Sequence, residues 1–415
     1  MNNLTILFLA TLLLVVCTQV WLARRQIRHV EVNRSAVPEP FREKIAPKTH
    51  KKAANYTIAK TRFSIVDYVV SALLLVIWTL GGGLQALDDL WRNLDWGVLA
   101  TGTAFMVSVA LIMGLLDLPA SIYQTFVIEQ RFGFNRMTPG LFLIDLIKKA
   151  LLVVAIGVPL ILAALWLMQE MGEWWWLYVW VLWTAFSLVA TWAFPTLIAP
   201  LFNTFTPLQP GPVKERIQSL LERTGFSTHG IYAMDGSRRS THGNAYFSGF
   251  GKSKRIVFFD SLLDSLADSE IEAVLAHELG HFKCRHVTKR LLLSFALSLC
   301  GLALLGWLIK QSWFYAGLGI SQPSTYTALT LFILVAPVFT FFLQPLFAWG
   351  SRKHEFEADI FAAKHSDARE LASALIKLYE ENASTLTPDP VHSAFYDSHP
   401  PAPVRIAHLK SMIVT

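Results

Sequence analysis

Seven long apolar stretches constrain the fold of this 415-residue chain more than any other feature. A helix needs roughly 20 apolar residues to cross a bilayer, and the stretches approach or reach that length. They are Leu4–Ala23, Ile65–Leu87, Trp96–Leu116, Ala150–Met168, Trp174–Leu197, Leu291–Ile309 and Thr327–Trp349. The pattern predicts a mainly α, polytopic membrane protein with seven transmembrane helices. The first stretch is interpreted as a true span and not as a signal peptide, because its basic cluster follows the apolar run.

Lysines and arginines are distributed unevenly among the segments that join these stretches. All but Arg92 and Lys310 of the 36 lie after the first, third, fifth or seventh stretch. The positive-inside rule therefore places those segments, and the C-terminus, in the cytosol. This topology accounts for the net charge of +6. Because the sequence has no RNA- or DNA-binding motif, we expect no nucleic-acid partner.

A five-residue motif in the longest of the cytosolic segments indicates a zinc site. It runs His277-Glu278-Leu279-Gly280-His281. On a helix, residues four apart share a face, so both imidazoles can reach one metal ion. Glu278, between them, is placed to take a proton from the attacking water. Catalytic zinc usually has three protein ligands and one open position, so the chain must supply a third ligand.

The best candidate for that third ligand follows the seventh stretch. Glu355 and Asp359 are four residues apart and share a helical face. One could therefore bind the metal while the other orients a ligand imidazole. The alternative is a solvated charged helix with ordinary salt bridges, which Glu357 on another face would fit. Cys284 follows the motif closely, but we expect it not to be a ligand.

The segment between the fifth and sixth stretches has a pattern of mixed secondary structure. It predicts a helix at Pro212–Thr224 and strands at Gly230–Met234 and Arg255–Asp260. The helix that carries the zinc motif is expected to begin near Asp268-Ser269-Glu270, where the side chain of Asp268 or Ser269 can cap it.

In their order along the chain, several motifs resemble those of the type I CAAX prenyl endopeptidases, which are integral-membrane zinc metalloproteases. The resemblance runs from about the second stretch to the C-terminus. It is carried by His277–His281 with His286, by Ser351-Arg352 with Glu355 and Asp359, by Phe126–Glu129 with Gly133-Phe134-Asn135, by Ile198–Asn203 with Phe205-Thr206-Pro207, by Asp235-Gly236-Ser237 with Asn244-Ala245-Tyr246, by Arg255-Ile256-Val257, and by Ser398-His399-Pro400-Pro401.

The resemblance implies the ligands and the base of the site. His277, His281 and Glu355 would bind one zinc ion, and Glu278 would be the general base. The chemistry supports these roles, since zinc polarises the scissile carbonyl and acidifies the attacking water, whose proton a nearby carboxylate can carry to the leaving amine.

The resemblance also implies supporting residues. Asp359 would orient a ligand histidine, Asn244 would hydrogen-bond the substrate backbone, and His399 would help to stabilise the oxyanion. His286 matches the family pattern but lies nine residues after the first ligand, which on a continuous helix is roughly the opposite face. We therefore expect His286 to support the site from outside the ligand set. Glu129 matches the family as well, as does the Asn of Gly133-Phe134-Asn135, but their chemistry assigns them no role.

These motifs divide the chain into four segments. Residues 1–201 would carry helices one to five with their cytosolic loops, and residues 202–290 the metalloprotease segment. Residues 291–350 would form helices six and seven, and residues 351–415 would complete the zinc site. By the resemblance, the helices enclose a water-filled chamber with a zincin-like active site at its cytosolic end.

The sequence therefore predicts a membrane-embedded zinc endopeptidase that acts on CAAX-type prenylated peptides or other membrane-associated proteins. The alternatives are a heat-shock-type membrane quality-control zinc protease, a seven-span transporter or receptor, and a structural zinc module. The number of spans and the regions of Asn244 and His399 favour the first. Short non-cytosolic loops and an end without a dilysine-type retrieval signal favour the inner membrane of a bacterium over the endoplasmic reticulum.

Overall fold

The computed structural model describes residues 2–248 and 255–413. Within them, seven helical segments are long and apolar enough to cross a membrane, which confirms the predicted number. Many of their large apolar side chains point outward, as lipid-facing residues do; Leu13 and Leu151, for example, are 65% and 64% exposed. The first five segments, together with the short helix α3 that lies between the second and third, comprise α1 (Asn3–Asn33), α2 (Pro47–Trp78), α3 (Gly83–Arg92), α4 (Val98–Tyr123), α5 (Gln130–Phe132), α6 (Pro139–Glu170), α7 (Trp175–Ala193) and α8 (Ala199–Phe202).

The second predicted span differs from the helix that forms. We expected Ile65–Leu87, whereas α2 begins at Pro47 and ends at Trp78. The chain then turns through three glycines, where Gly82 has a φ of +81°, a left-handed conformation that favours glycine. The residues after the turn form the separate helix α3, which is amphipathic and not a continuation of the span.

The segment that follows the fifth span contains the sheet and the zinc-motif helix. Its elements are β1 (Phe205–Pro207), α9 (Pro212–Thr224), β2 (Gly230–Met234), β3 (Ala245–Ser248), β4 (Arg255–Phe259), α10 (Asp260–Ser265) and α11 (Asp268–Lys283). Helix α9 and strand β2 have the predicted bounds, and β4 ends one residue early. Strands β1 and β3 were not predicted; they are three and four residues long, too short to show an alternating pattern.

The strand order is β1-β2-β4-β3. Strand β2 runs parallel to β4, while β1 and β3 are antiparallel to their neighbours. Strand β3 pairs with β4 on one side and is an edge of the described sheet. The predicted cap of α11 is wrong in detail: Ala267 precedes the helix, and the carboxylate of Glu270 accepts the Ala267 N–H at 2.8 Å.

The last third of the chain returns through the membrane and then packs on the sheet region. Its helices are α12 (His286–Leu308), α13 (Ser312–Gly317), α14 (Thr325–Thr340), α15 (Gln344–His365), α16 (Ala368–Glu381), α17 (Pro390–Tyr396) and α18 (Ala402–Ile413). The seventh span does not end near Trp349 as expected, because α15 continues without a break to His365. The polar half of α15 therefore projects directly from a membrane helix.

Two large hydrophobic cores, with two smaller clusters beside them, hold the described residues together. The membrane core is formed by residues of α1, α4, α6 and α14, among them Phe8, Phe105, Leu165 and Leu331. The catalytic core joins α9, the sheet, α11, α16 and α18 through Ile217, Phe258, Leu275, Leu371 and Ile406. The two polar segments expected to assemble thus share one core, although two membrane helices separate them in sequence.

Candidate active site

The zinc-motif helix α11 packs directly against α15. A Cβ on Gly280 would lie 2.9 Å from the Cα of Ala358 and 3.1 Å from its carbonyl oxygen, closer than real Cβ atoms approach. Glycine at this position therefore permits the two helix backbones to touch. Because Ala358 lies between Glu355 and Asp359, this contact brings both carboxylates to the histidine face of α11.

Three side chains converge with the spacing of metal ligands. The Nε2 atoms of His277 and His281 are 3.2 Å apart. Glu355 faces both, with its Oε2 3.4 Å from His277 Nε2 and its Oε1 3.4 Å from His281 Nε2. Ligands that bind a tetrahedral zinc ion at about 2.0–2.1 Å lie ~3.3 Å from one another, so the three separations fit a single ion.

The hydrogen bonding of Glu355 also fits a cation. Its side chain is 6% exposed, and its Oε2 atom accepts no hydrogen bond from any residue that the structure describes. A buried carboxylate oxygen without a donor is costly, and a metal ion held with His277 and His281 would satisfy it. These residues therefore suit the metal that the motif predicts.

Asp359 lies behind His277 and fixes the orientation of its ring. The Oδ1 atom of Asp359 is 2.8 Å from His277 Nδ1. When Nδ1 donates its proton to this carboxylate, Nε2 keeps its lone pair for a metal. Burial and the charge of Arg405 lower the pKa of His277, whereas the nearby carboxylates of Asp359 and Glu355 raise it, and the carboxylates prevail. A metal ion at Nε2 therefore competes with a proton.

Arg405 completes this arrangement, and the sequence analysis missed it. Its Nε and Nη2 donate to the two carboxylate oxygens of Asp359 at 2.9 and 2.8 Å, a bidentate pair in which both residues are buried. Its Nη1 lies 3.5 Å from Glu355 Oε2. The sequence contained a signal, since Arg405 shares one face of α18 with Ala402, Ile406 and Leu409, and a charge on an apolar face needs a buried partner.

His286 approaches the site by a route that the sequence did not predict. Helix α11 ends at Lys283, and Arg285 adopts a φ of +56° that turns the chain sharply into α12. The assumption of a continuous helix was therefore wrong. The turn brings His286 Nδ1 to 3.0 Å from His281 Nδ1, and its Nε2 lies 2.9 Å from Glu357 Oε2. As expected, neither His286 nor Cys284 belongs to the three converging ligands.

The remaining predicted residues line one cavity beside the ligands. It has a volume of about 250 Å³ and is bounded by His277, Glu278, Asn244, His399 and Arg405, among others. The Glu278 carboxylate makes no hydrogen bond or ion pair within the described part of the chain, so it is free to exchange protons with a substrate. The Nε2 of His399 lies 3.5 Å from Glu355 Oε1. Every residue predicted for the site is therefore within it or directly behind it.

Comparison with known proteins agrees with this geometry. Residues 26–204 match the family model described as the CAAX prenyl protease N-terminal domain with five membrane helices, and residues 207–413 match peptidase family M48. The chain is 36% identical to CAAX prenyl protease 1 homolog of Arabidopsis thaliana over 87% of both chains. It is 32% identical to the homolog of Homo sapiens, covering 95% of this chain and 92% of the relative. This chain belongs to the CAAX prenyl protease family of M48 peptidases.

The fold supports the same assignment. The crystal structure of S. mikatae Ste24p superimposes with a TM-score of 0.90 at 30% identity and covers 99% of both chains. Membership of the M48 family confirms the predicted membrane metalloendopeptidase and its seven-helix chamber fold. A peptidase family over residues 207–413 argues against a transporter, a receptor and a structural zinc module. The match of residues 26–204 to the CAAX prenyl protease N-terminal model favours this family over a heat-shock-type protease.

The family motifs without an assigned role hold the segment that precedes Asn244. Glu129 lies in a π-helical turn, Gln124–Glu129, after α4. Its Oε1 accepts the Tyr56 hydroxyl at 2.6 Å, and its Oε2 is 3.6 Å from His242 Nε2. Asn135 forms a β-bridge with Ser240. Both residues therefore connect the membrane helices to the loop that leads into β3.

The same loop is anchored a second time, on α6. Arg239 donates from Nε and Nη2 to both carboxylate oxygens of Asp145, at 2.8 and 3.0 Å. Its Nη1 donates to Asn203 at 3.0 Å, and Asn203 belongs to a family motif. The loop before Asn244 is thus tied to two separate parts of the membrane region, which fixes where β3 begins.

Proposed function

We propose that this chain hydrolyses peptide bonds with a single zinc ion held by His277, His281 and Glu355. The observation that carries the proposal is the mutual separation of the three ligand atoms, 3.2 to 3.4 Å. Two imidazoles and a carboxylate are typical of catalytic zinc, whereas structural zinc usually closes its coordination with cysteine and histidine. Asp359 and Arg405 hold the first histidine with its Nε2 toward the ion.

The chain's own side chains move the protons. A bound zinc ion would polarise the scissile carbonyl and acidify the attacking water. Glu278 accepts the proton of that water and passes it to the leaving amine, because its carboxylate lines the cavity next to a ligand and has no other partner. His399, which lines the same cavity with its Nε2 3.5 Å from Glu355 Oε1, donates a hydrogen bond to the oxyanion.

An extended substrate is held by Asn244 and β3. The outer edge of an edge strand offers unpaired N–H and C=O groups, to which a peptide can add as a further strand. Asn244 directly precedes β3, is exposed and lines the cavity, so its amide can hydrogen-bond the substrate backbone. The two anchors of the preceding loop tie the start of this edge to the membrane helices.

The substrate is a peptide with a prenylated C-terminal CAAX sequence. The names of the relatives support this substrate class, since they are CAAX prenyl proteases. The position of the site supports it too: Glu355 lies on α15, which continues from a membrane helix. A terminus anchored by its lipid would therefore meet the ligands close to the membrane surface. Other membrane-associated proteins would reach the same site.

The catalytic region faces the cytosol. The lysines and arginines of the connecting segments support this orientation through the positive-inside rule. The short non-cytosolic loops favour the inner membrane of a bacterium. Fusions of a reporter that fluoresces only in the cytosol, placed at the C-terminus and in the segment around Lys310, would report the two sides separately.

The test compares the wild type with Glu278→Ala on a farnesylated CAAX peptide and on its unmodified counterpart. We expect one zinc per chain in both proteins and a loss of hydrolysis of about 10²–10⁴-fold in the variant. Equal activity in the two proteins would overturn the role of Glu278. Equal cleavage of the two peptides by the wild type would overturn the prenyl preference alone. Full activity after the metal has been removed with a chelator would overturn the requirement for zinc.

A further inference from the structure

A cavity larger than that of the active site lies away from it. It has a volume of about 880 Å³ and opens between the end of α1, the first half of α2 and the π-helical turn after α4. Three arginines line it: Arg34, Arg62 and Arg131. This volume is more than three times that of the active-site cavity, and no step of the proposed hydrolysis uses it.

The cavity has an excess of positive charge. Glu31 pairs with Arg62, with 2.8 Å between Oε1 and Nη2. Arg34 and Arg131 have no carboxylate within ion-pair distance among the residues that the structure describes, and both are exposed to the cavity. Two unpaired guanidinium groups in one concave surface match an anion with several oxygens, such as a phosphate.

A further part of the cavity wall is apolar. Phe63, Val66 and Val127 line it, and the two valines are 58% and 45% exposed. Along α2 the lysine-rich first half gives way at this height to a mainly apolar stretch that contains one acidic residue, Asp67. The charged and apolar walls therefore follow one another along the membrane normal, in the order of a phospholipid's headgroup and acyl chain.

We propose that this cavity binds one anionic phospholipid from the leaflet on the side of the catalytic region. Its phosphate lies between Arg34 and Arg131, and an acyl chain lies along Phe63, Val66 and Val127. Basic pockets between transmembrane helices are typical sites for acidic lipid headgroups. A soluble phosphate would leave the apolar wall without a partner, so the lipid fits the whole cavity and the free anion only half of it.

A second cavity provides a matched control. It has a volume of about 420 Å³ and is also rich in charge, with Lys44 and Lys410 in its lining. Its carboxylates, Glu39 and Glu43, balance part of that charge, and it lies on the catalytic region, where no apolar wall continues into a membrane helix. Replacing Lys44 and Lys410 removes the same number of charges without touching the proposed lipid site.

The full chain is first placed in nanodiscs that contain phosphatidylcholine and phosphatidylglycerol. The protein is then extracted into detergent, and native mass spectrometry measures which lipid molecules stay bound to it. We expect one retained phosphatidylglycerol on the wild type and on the K44Q/K410Q control. Retention should fall about 30-fold in R34Q/R131Q and return in R34K/R131K. Metal content and the thermal midpoint show whether each variant is folded.

Three results would overturn the proposal. One is equal retention of phosphatidylglycerol by R34Q/R131Q and by the wild type. Another is equal retention of phosphatidylcholine and phosphatidylglycerol by the wild type. This comparison needs no variant, so it remains valid even if R34Q/R131Q does not fold. The third is displacement of the lipid by inorganic phosphate alone, which would assign the arginines to a soluble anion.

Discussion

Two groups of potential metal ligands lie side by side where α11 meets α15. The catalytic cluster is His277, His281 and Glu355, and the adjacent cluster is Cys284, His286 and Glu357. In each, the ligand atoms lie within 4.8 Å of one another. Distance alone does not distinguish them, although one suits a catalytic metal far better than the other.

The difference lies in the carboxylates. In the catalytic cluster, Glu355 has a buried oxygen without a donor, and His277 is turned by its contact to Asp359 so that Nδ1 faces away from the other ligands. In the adjacent cluster, Glu357 Oε2 already pairs with His286 Nε2, and the Glu357 side chain is 47% exposed to solvent. A buried acceptor without a hydrogen bond therefore identifies the metal site better than the distances between potential ligand atoms do.

We propose that the adjacent cluster instead supports the catalytic one. When His281 binds a metal through Nε2, its Nδ1–H donates to His286 Nδ1, and His286 Nε2–H donates to Glu357. This chain of hydrogen bonds fixes the ring of the second ligand, as Asp359 fixes the ring of the first. Three substitutions, from the largest expected effect to the smallest, would break or sharpen this comparison.

Glu355→Gln should have the largest effect. The amide cannot replace a carboxylate ligand in this site, so we expect metal affinity to fall by more than the ~10–100-fold typical of residues behind the ligands. Metal content after dialysis, measured by elemental analysis, checks the expectation. Glu357→Gln is the matched control two residues away on the same helix, and it should keep its metal. The reverse result would exchange the roles of the two clusters.

Asp359→Asn should weaken metal binding by about 10–100-fold. The asparagine keeps the size of the side chain, but it leaves Arg405 buried without its charge partner, which costs about 3–5 kcal/mol for a broken buried pair. Competition with a chelator measures the affinity, and thermal unfolding measures the stability. The exposed pair of Lys310 and Glu173 serves as control: Glu173→Gln should change neither. An unchanged Asp359→Asn affinity would mean that the ring of His277 needs no support.

His286→Asn should have the smallest effect. We expect the metal to stay bound and kcat/KM to fall by no more than about 10-fold, at the lower end for a residue that orients a ligand. Asparagine can still accept a hydrogen bond from His281, so the loss is partial. Cys284→Ser should leave metal content and activity unchanged. Loss of the metal in either variant would show that the adjacent cluster is itself a metal site.

The fold was predictable where its signals are local. Apolar runs of sufficient length identified the seven spans, because backbone groups in lipid must be paired within the helix. The end of α2 could not be placed, since three glycines in an apolar run do not show whether the helix continues. The start of β3 depends on Glu129, Arg239 and Asn135, which lie elsewhere in the sequence and act on it only through contacts.

The sequence by itself determined that this chain spans a membrane seven times and that His277, Glu278 and His281 share a helix face, because hydropathy and a four-residue spacing act over short distances. The tertiary structure decided what surrounds that face. It brings Glu355 across two membrane helices through the contact at Gly280, it supplies Arg405 behind Asp359, and it turns His286 back at Arg285. Long-range packing sets these positions, and no local pattern encodes a distance between residues so far apart in the chain.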